Sequence, residues 1–140
     1  MDPQALAERI VARMRERDPF SRWLGIECLA VAPGRCTLRL TLREEMLNGF
    51  AIAHGGIAYS LADSALAFAA NTHGIHAVSV ETSITHTRPA QAGDALTAAA
   101  EELSRTTRFA TYQVAVTDQR QRTVALFKGT VYRTGEAWEA

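Results

Sequence analysis

The chain has 140 residues, 47% hydrophobic and 21% charged, which suits one globular domain and excludes an intrinsically disordered segment. Fifteen basic residues balance fifteen acidic ones, so no long-range field favours nucleic acid or an anionic membrane, and any bound anion must be held by a local group of cations. Two cysteines are too few for a disulfide framework, the first residues carry no signal pattern, and no apolar run reaches the length of a membrane span; the expectation is a soluble, cytoplasmic protein.

The first predicted element is an amphipathic helix over residues 1–18. Asp2 caps it, Pro3 suits its first position, and Leu6, Ile10, Val11 and Met14 line one face. Asp18-Pro19 closes it, because a residue before proline is pushed out of the helical region. Two strands then flank the turn dipeptide Pro33-Gly34, and in the second Cys36, Leu38, Leu40 and Leu42 alternate with polar residues. A loop over residues 43–53 contains Asn48-Gly49.

Residues 54–71 are rich in Ala and Leu and nearly free of charge, which predicts a central helix buried on most sides. Gly74 supplies its stop. Four strands follow, over residues 77–87, 94–103, 109–117 and 123–133, and the last six residues read as a frayed tail. Helix, two strands, central helix and four strands make an α+β domain in which an antiparallel sheet wraps the central helix. One sheet covers only part of such a helix, so a partner subunit is expected.

His54-Gly55-Gly56 stands where the central helix begins. Amides there have no partner within the helix and carry the positive end of its dipole, so a carbonyl can approach them and develop charge. Alternatively the two glycines are only a flexible helix start. Asp63 is the only formally charged residue between Gly55 and Asn71. It reads either as a nucleophile or general base, with Ser60 and Ser64 in reach to hydrogen-bond it, or as a structural Asp that faces solvent or a neighbouring chain. Asn48 is a donor to a substrate or the left-handed residue of its turn, and His54 an acid, a loop-orienting residue or a helix cap.

A length decides how these groups combine. Eight residues of helix separate Gly55 from Asp63, or about 12 Å at ~1.5 Å per residue. One carbonyl cannot touch both, because reacting atoms must approach within ~3.5 Å. If both act on one substrate, the Asp comes from a two-fold-related subunit, with two sites per dimer.

Met46-Leu47-Asn48-Gly49, His54-Gly55-Gly56, Ser60 to Ala65 and Asn71 resemble the hotdog thioesterases of phenylacetic acid degradation. The resemblance runs on through Arg88-Pro89, residues 92–98 and residues 123–127. It implies a hotdog fold, homodimers paired into homotetramers, and hydrolysis of aryl- or acyl-CoA thioesters, notably phenylacetyl-CoA and its ring-hydroxylated relatives. It also implies that Gly55 N–H binds the thioester carbonyl, that Asp63 of the facing subunit is the catalytic carboxylate, and that Asn48, His54 and Gly56 complete the site. In a related branch a serine on the strand after the helix helps hold water, and Ser79 stands comparably; an ordinary strand position is its other reading. Residues 50–53 depart from the family's loop, and Ala67 stands where another branch carries a hydroxyl.

Coenzyme A brings phosphates, for which Arg88, Arg105, Arg108 and Lys128 are the candidate cations. His73, His76 and His86 lack metal-ligand spacing, and Cys28 and Cys36 read as small buried hydrophobes; no metal or cofactor is expected. Two rival functions are a hotdog enoyl-CoA hydratase or dehydratase and a non-catalytic acyl-CoA binding module. The second fits Asp63 poorly, because a binder gains nothing from a carboxylate facing a polyanion.

Overall fold

A computed structural model describes residues 1–139. Helix α1 (Pro3–Glu16) begins with Asp2 Oδ2 accepting from Ala5 N–H at 3.0 Å and with Pro3 in its first turn. It stops at Glu16, short of the expected residue 18. Asp18-Pro19 does more than close it, because the same pair opens a second helix, α2 (Pro19–Leu24). Asp18 Oδ1 caps Ser21 N–H at 3.0 Å, so a residue barred from one helix by the following proline becomes the N-cap of the next.

Strands β1 (Glu27–Ala32) and β2 (Arg35–Thr41) form an antiparallel hairpin. Gly34 turns it at φ +74°, a conformation open to glycine at little cost. A short 3-10 turn (Glu44–Met46) then leads to the central helix α3 (Gly55–Asn71). Strands β3 (Ile75–His86), β4 (Ala95–Arg105), β5 (Phe109–Thr117) and β6 (Thr123–Ala137) complete one sheet in the order β1-β2-β4-β5-β6-β3, with every neighbouring pair antiparallel.

The sheet curls round α3, which packs on β2, β3, β4, β5 and β6, while α1 lies across β1 and the remaining flank of α3. Leu61, Ala65, Leu66, Phe68 and Ala69 of α3 meet Leu38, Leu40, Leu96, Tyr112, Val114 and Phe127 in one core. Burying each larger side chain contributes about 1.5–3 kcal/mol. The helix comes close to the sheet at Gly129 of β6, where an added Cβ would lie 2.6 Å from Leu66 Cδ2. This is the packing of the hotdog fold, and it suits the charge-poor sequence of α3: a helix apolar on most sides must be covered on most sides, and here the curled sheet does it.

The chain end differs from expectation. Residues 135–137 continue β6, with Ala137 paired to Ile75. Trp138 N–H donates to Gly74 O at 2.9 Å, its Nε1 donates to Asn71 Oδ1 at 2.9 Å, and its ring lies 4.2 Å from that of His76. Asn71 supplies the anchor, because its amide is held by the Ala67 and Ala77 backbone with the oxygen turned to the tail. Ala140 lies outside the described residues.

Among the described residues, β3 has no neighbour on its outer edge. Val78 and Val80 on that strand are 56% and 58% exposed. An open edge strand with exposed valines invites pairing with another chain. Among the described residues no helix is long and apolar enough to cross a membrane.

Candidate active site

The loop before α3 sets the geometry of the helix start. Asn48 N–H donates to Ile52 O, Ala53 N–H to Ala90 O and His54 N–H to Met46 O, each at 2.8–2.9 Å. Asn48 is not the left-handed residue of its turn: that conformation falls on Ala51, at φ +59°. Asn48 Oδ1 accepts from Phe50 N–H at 2.9 Å, an Asx turn that uses the amide oxygen and leaves the Nδ2 donors uncommitted among the described residues.

His54 caps α3, with its Nδ1 accepting from Gly56 N–H at 2.9 Å. An accepting Nδ1 places the ring proton on Nε2. Gly56 N–H is therefore committed. Among the described residues Gly55 N–H meets no acceptor, so the double glycine resolves into one amide used in the cap and one free.

Gly55 opens onto a cleft of about 430 Å³ whose walls include Asn48, Ile52, His54, His86 and Arg88. Asp63 opens onto another, of about 450 Å³, lined by Met14, Phe20, Phe68, Arg17 and Trp138 among others. Asp63 is not in the Gly55 cleft, so within one chain the amide and the carboxylate are apart.

Neither expected serine bonds Asp63. Ser60 Oγ donates to Gly56 O at 2.7 Å. Ser21 Oγ donates to Asp18 Oδ2 at 2.6 Å, so Ser64 Oγ, 3.3 Å from Ser21 Oγ, supplies the proton of that contact and ties α3 to α2. Among the described residues no hydrogen bond or ion pair reaches the Asp63 carboxylate. Burial alone acts on it and raises its pKa above the ordinary carboxylate range. No side-chain polar atom of the described residues is both fully buried and unpartnered, so the half-buried Asp63 carboxylate keeps access to the cleft in front of it.

Of the remaining sequence candidates, Arg88 lines the Gly55 cleft. Arg105 and Arg108 lie at the opposite end of the sheet. Nine residues of β4 separate Arg105 from Leu96 in the cleft wall, or about 30 Å at ~3.3 Å per residue. Arg105 pairs with Glu102 at 3.4 Å, and Arg108 donates to Tyr132 Oη at 3.3 Å. Ser79 is exposed on β3 opposite Val131 and lines neither cleft. Lys128 is exposed on β6, paired across the sheet with Ser83 and Gln113.

The three late histidines are dispersed. His73 Nε2 lies 2.8 Å from Glu102 Oε1, His76 stacks on Trp138, and His86 lines the Gly55 cleft. Sequence reasoning missed His86 as a site residue; the only signal available was its place two residues before Arg88, at the end of a strand. Cys36 is buried and Cys28 half-buried. Cys36 beside it shifts the Cys28 thiol downward, whereas Cys28 and burial together push the Cys36 thiol upward. Both lie toward the β1 side of the sheet, and neither lines the Gly55 cleft or the Asp63 cleft.

The architecture is that of a hotdog protein, with a free amide at the start of its central helix. Comparison with known proteins makes the class specific. The Thioesterase superfamily matches residues 50–125, more than half of the chain. Acyl-coenzyme A thioesterase PaaI of Escherichia coli (strain K12) is 38% identical over 122 residues, covering 87% of this chain and 87% of that protein. The solved structure of E. coli PaaI, from the phenylacetic acid degradation operon, superposes with a TM-score of 0.95 at 35% identity, over 97% of this chain and 99% of that one. A Thermus thermophilus protein, TT0310, is 43% identical with a TM-score of 0.80, over 83% and 97%. The chain belongs to the thioesterase superfamily, in the group typified by the phenylacetic acid degradation thioesterases.

Proposed function

We propose that this thioesterase hydrolyses acyl-CoA thioesters, with phenylacetyl-CoA and its ring-hydroxylated relatives as preferred substrates, in cytoplasmic phenylacetate catabolism. The observation that carries the reading is one helix bearing both a free amide at its start and an unpaired carboxylate two turns on. Those are the two groups that thioester hydrolysis needs. The donor stabilises the oxygen as charge develops, and the carboxylate activates the attacking group.

In this reading the thioester carbonyl oxygen accepts from Gly55 N–H, beside Asn48 Nδ2 and the His54 cap. Asp63 of a second subunit takes a proton from water as the water oxygen adds to the carbonyl carbon. The tetrahedral intermediate collapses, the carbon–sulfur bond breaks, and coenzyme A leaves as a thiolate that takes up a proton. Direct attack by Asp63 would instead give a mixed anhydride that water hydrolyses. Oxygen-18 from labelled water enters Asp63 in a single turnover only on that second route.

The open edge of β3 supports a homodimer as the catalytic unit, since pairing there covers Val78 and Val80. Dimers then pair into a homotetramer. Arg88 is the cation best placed for a coenzyme A phosphate, whereas Arg105 and Arg108 serve only a cofactor tail that reaches them from the partner's site. Thiol release measured across an acyl-CoA panel, wild type against Asp63→Ala, tests the reading. Turnover of phenylacetyl-CoA that the substitution abolishes supports it, and undiminished turnover in the variant overturns it.

A further inference from the structure

His86 ends β3 opposite Ala125, is exposed, and lines the same cleft as Gly55, Asn48 and His54. A Cβ placed on Gly55 would lie 3.2 Å from His86 Nε2 and 3.3 Å from its Cε1. The imidazole thus stands directly over the Gly55 backbone, with Nε2 as the nearest atom. Among the described residues no hydrogen bond occupies that ring. It has no structural partner to hold, yet it sits against the one free amide of the helix start.

The distances decide what it can do. Standard bond lengths put Cβ about 2.5 Å from its own amide nitrogen, so Nε2 lies no farther than about 5.7 Å from Gly55 N. Two donors ~2.9 Å from one oxygen along its two lone-pair directions stand about 5 Å apart, which lies within that limit. A single oxygen between them can therefore accept from both. Glycine at position 55 serves both donors, since a larger residue would cover the amide and crowd the imidazole.

We propose that His86 Nε2–H is a second donor to the thioester carbonyl oxygen, completing with Gly55 N–H the site that holds the oxyanion. The inference rests on the thioesterase reading and adds a catalytic residue to it. His54, by contrast, spends its Nδ1 on the helix cap and acts through the backbone it fixes.

The test compares wild type, His86→Gln and His86→Phe. Glutamine keeps a donor near the position of Nε2; phenylalanine keeps the ring and removes the proton. Turnover of phenylacetyl-CoA is expected to fall about a hundredfold in His86→Phe with KM little changed, and to return to within about tenfold of wild type in His86→Gln. Binding is measured beside turnover with two coenzyme A analogues: a trifluoromethyl ketone, whose hydrate carries the tetrahedral oxygen, and a thioether, which has no such oxygen. Loss of ketone affinity in His86→Phe with thioether affinity retained supports the proposal. Turnover within about threefold of wild type in His86→Phe, unchanged ketone affinity, or no recovery in His86→Gln overturns it. Absence of turnover in the wild type would count against the hydrolytic reading instead, and the two analogues would still decide the role of His86.

Discussion

Gly55 and Asp63 stand on one helix, yet they open onto separate clefts. Eight residues carry the chain about 12 Å along the axis and about 80° round it. The amide faces the loop at residues 48–54, whereas the carboxylate faces α1 and the chain end. Neither cleft holds both groups, so on the proposed mechanism the reacting carbonyl lies where two copies of the chain meet.

The Asp63 carboxylate is expected to limit both turnover and stability. Its pKa is raised by burial with no partner to offset it, so the folded state holds the proton more tightly than the unfolded chain, where Asp titrates near ~3.9. Below that pH the carboxyl is neutral in both states and carries no penalty. As pH rises through the folded-state pKa, ionisation weakens the fold. Asp63→Asn should therefore unfold at a higher temperature than wild type at neutral pH, with the difference vanishing in acid. Thermal melts from acid to neutral pH check this, and a gap independent of pH would contradict it.

The same shift fixes the acid limb of the rate profile. Catalysis needs the ionised carboxylate, so kcat/KM falls as pH drops through the folded-state pKa, above the ~3.9 of an ordinary Asp. Asp63→Ala should lose about 10²–10⁴-fold in kcat, the range of a positioned general base. Steady-state kinetics across the acid and neutral range measure both.

Much of this was legible in the sequence. The low charge of residues 54–71 foretold a wrapped helix, and β5 begins and ends where its alternation does. The helical rise alone separated Gly55 from Asp63. Other features depend on contacts that no local pattern encodes. Asp18-Pro19 is not one of them: as at Asp2-Pro3, an Asp before a proline is a local helix-start signal, and reading it only as a stop missed α2. The tail is ordered because Trp138 finds Asn71 Oδ1 across 67 positions of sequence. His86 joins the site only because the end of β3 passes the start of α3.

That tail contact should be measurable. Trp138→Phe keeps the stack on His76 and loses the bond to Asn71, at a cost of about 1 kcal/mol. Trp138→Ala loses the ring as well and should cost about 2–3 kcal/mol. Denaturant titration gives both values, and equal stabilities for all three proteins would show that the tail does not brace the helix end.

The contact between Gly129 and Leu66 predicts a coupled pair. Gly129→Ala places a methyl 2.6 Å from Leu66 Cδ2 and should cost about 1–3 kcal/mol through overpacking. In the double variant with Leu66→Ala the clash disappears, so the two effects should fall short of additive. Strict additivity in a double-mutant cycle would mean that helix and sheet yield freely there.

Subunit complementation tests the shared site most directly. Asp63→Ala and Gly55→Val should each be inactive alone, the first without its carboxylate and the second with its amide covered. Co-expressed in equal amounts, half of the dimers are mixed, and each mixed dimer joins one intact Gly55 to one intact Asp63. Thiol release at about a quarter of the wild-type rate is then expected. Activity no greater than that of the two variants alone would contradict the shared site, because amide and carboxylate would then have to act within one chain.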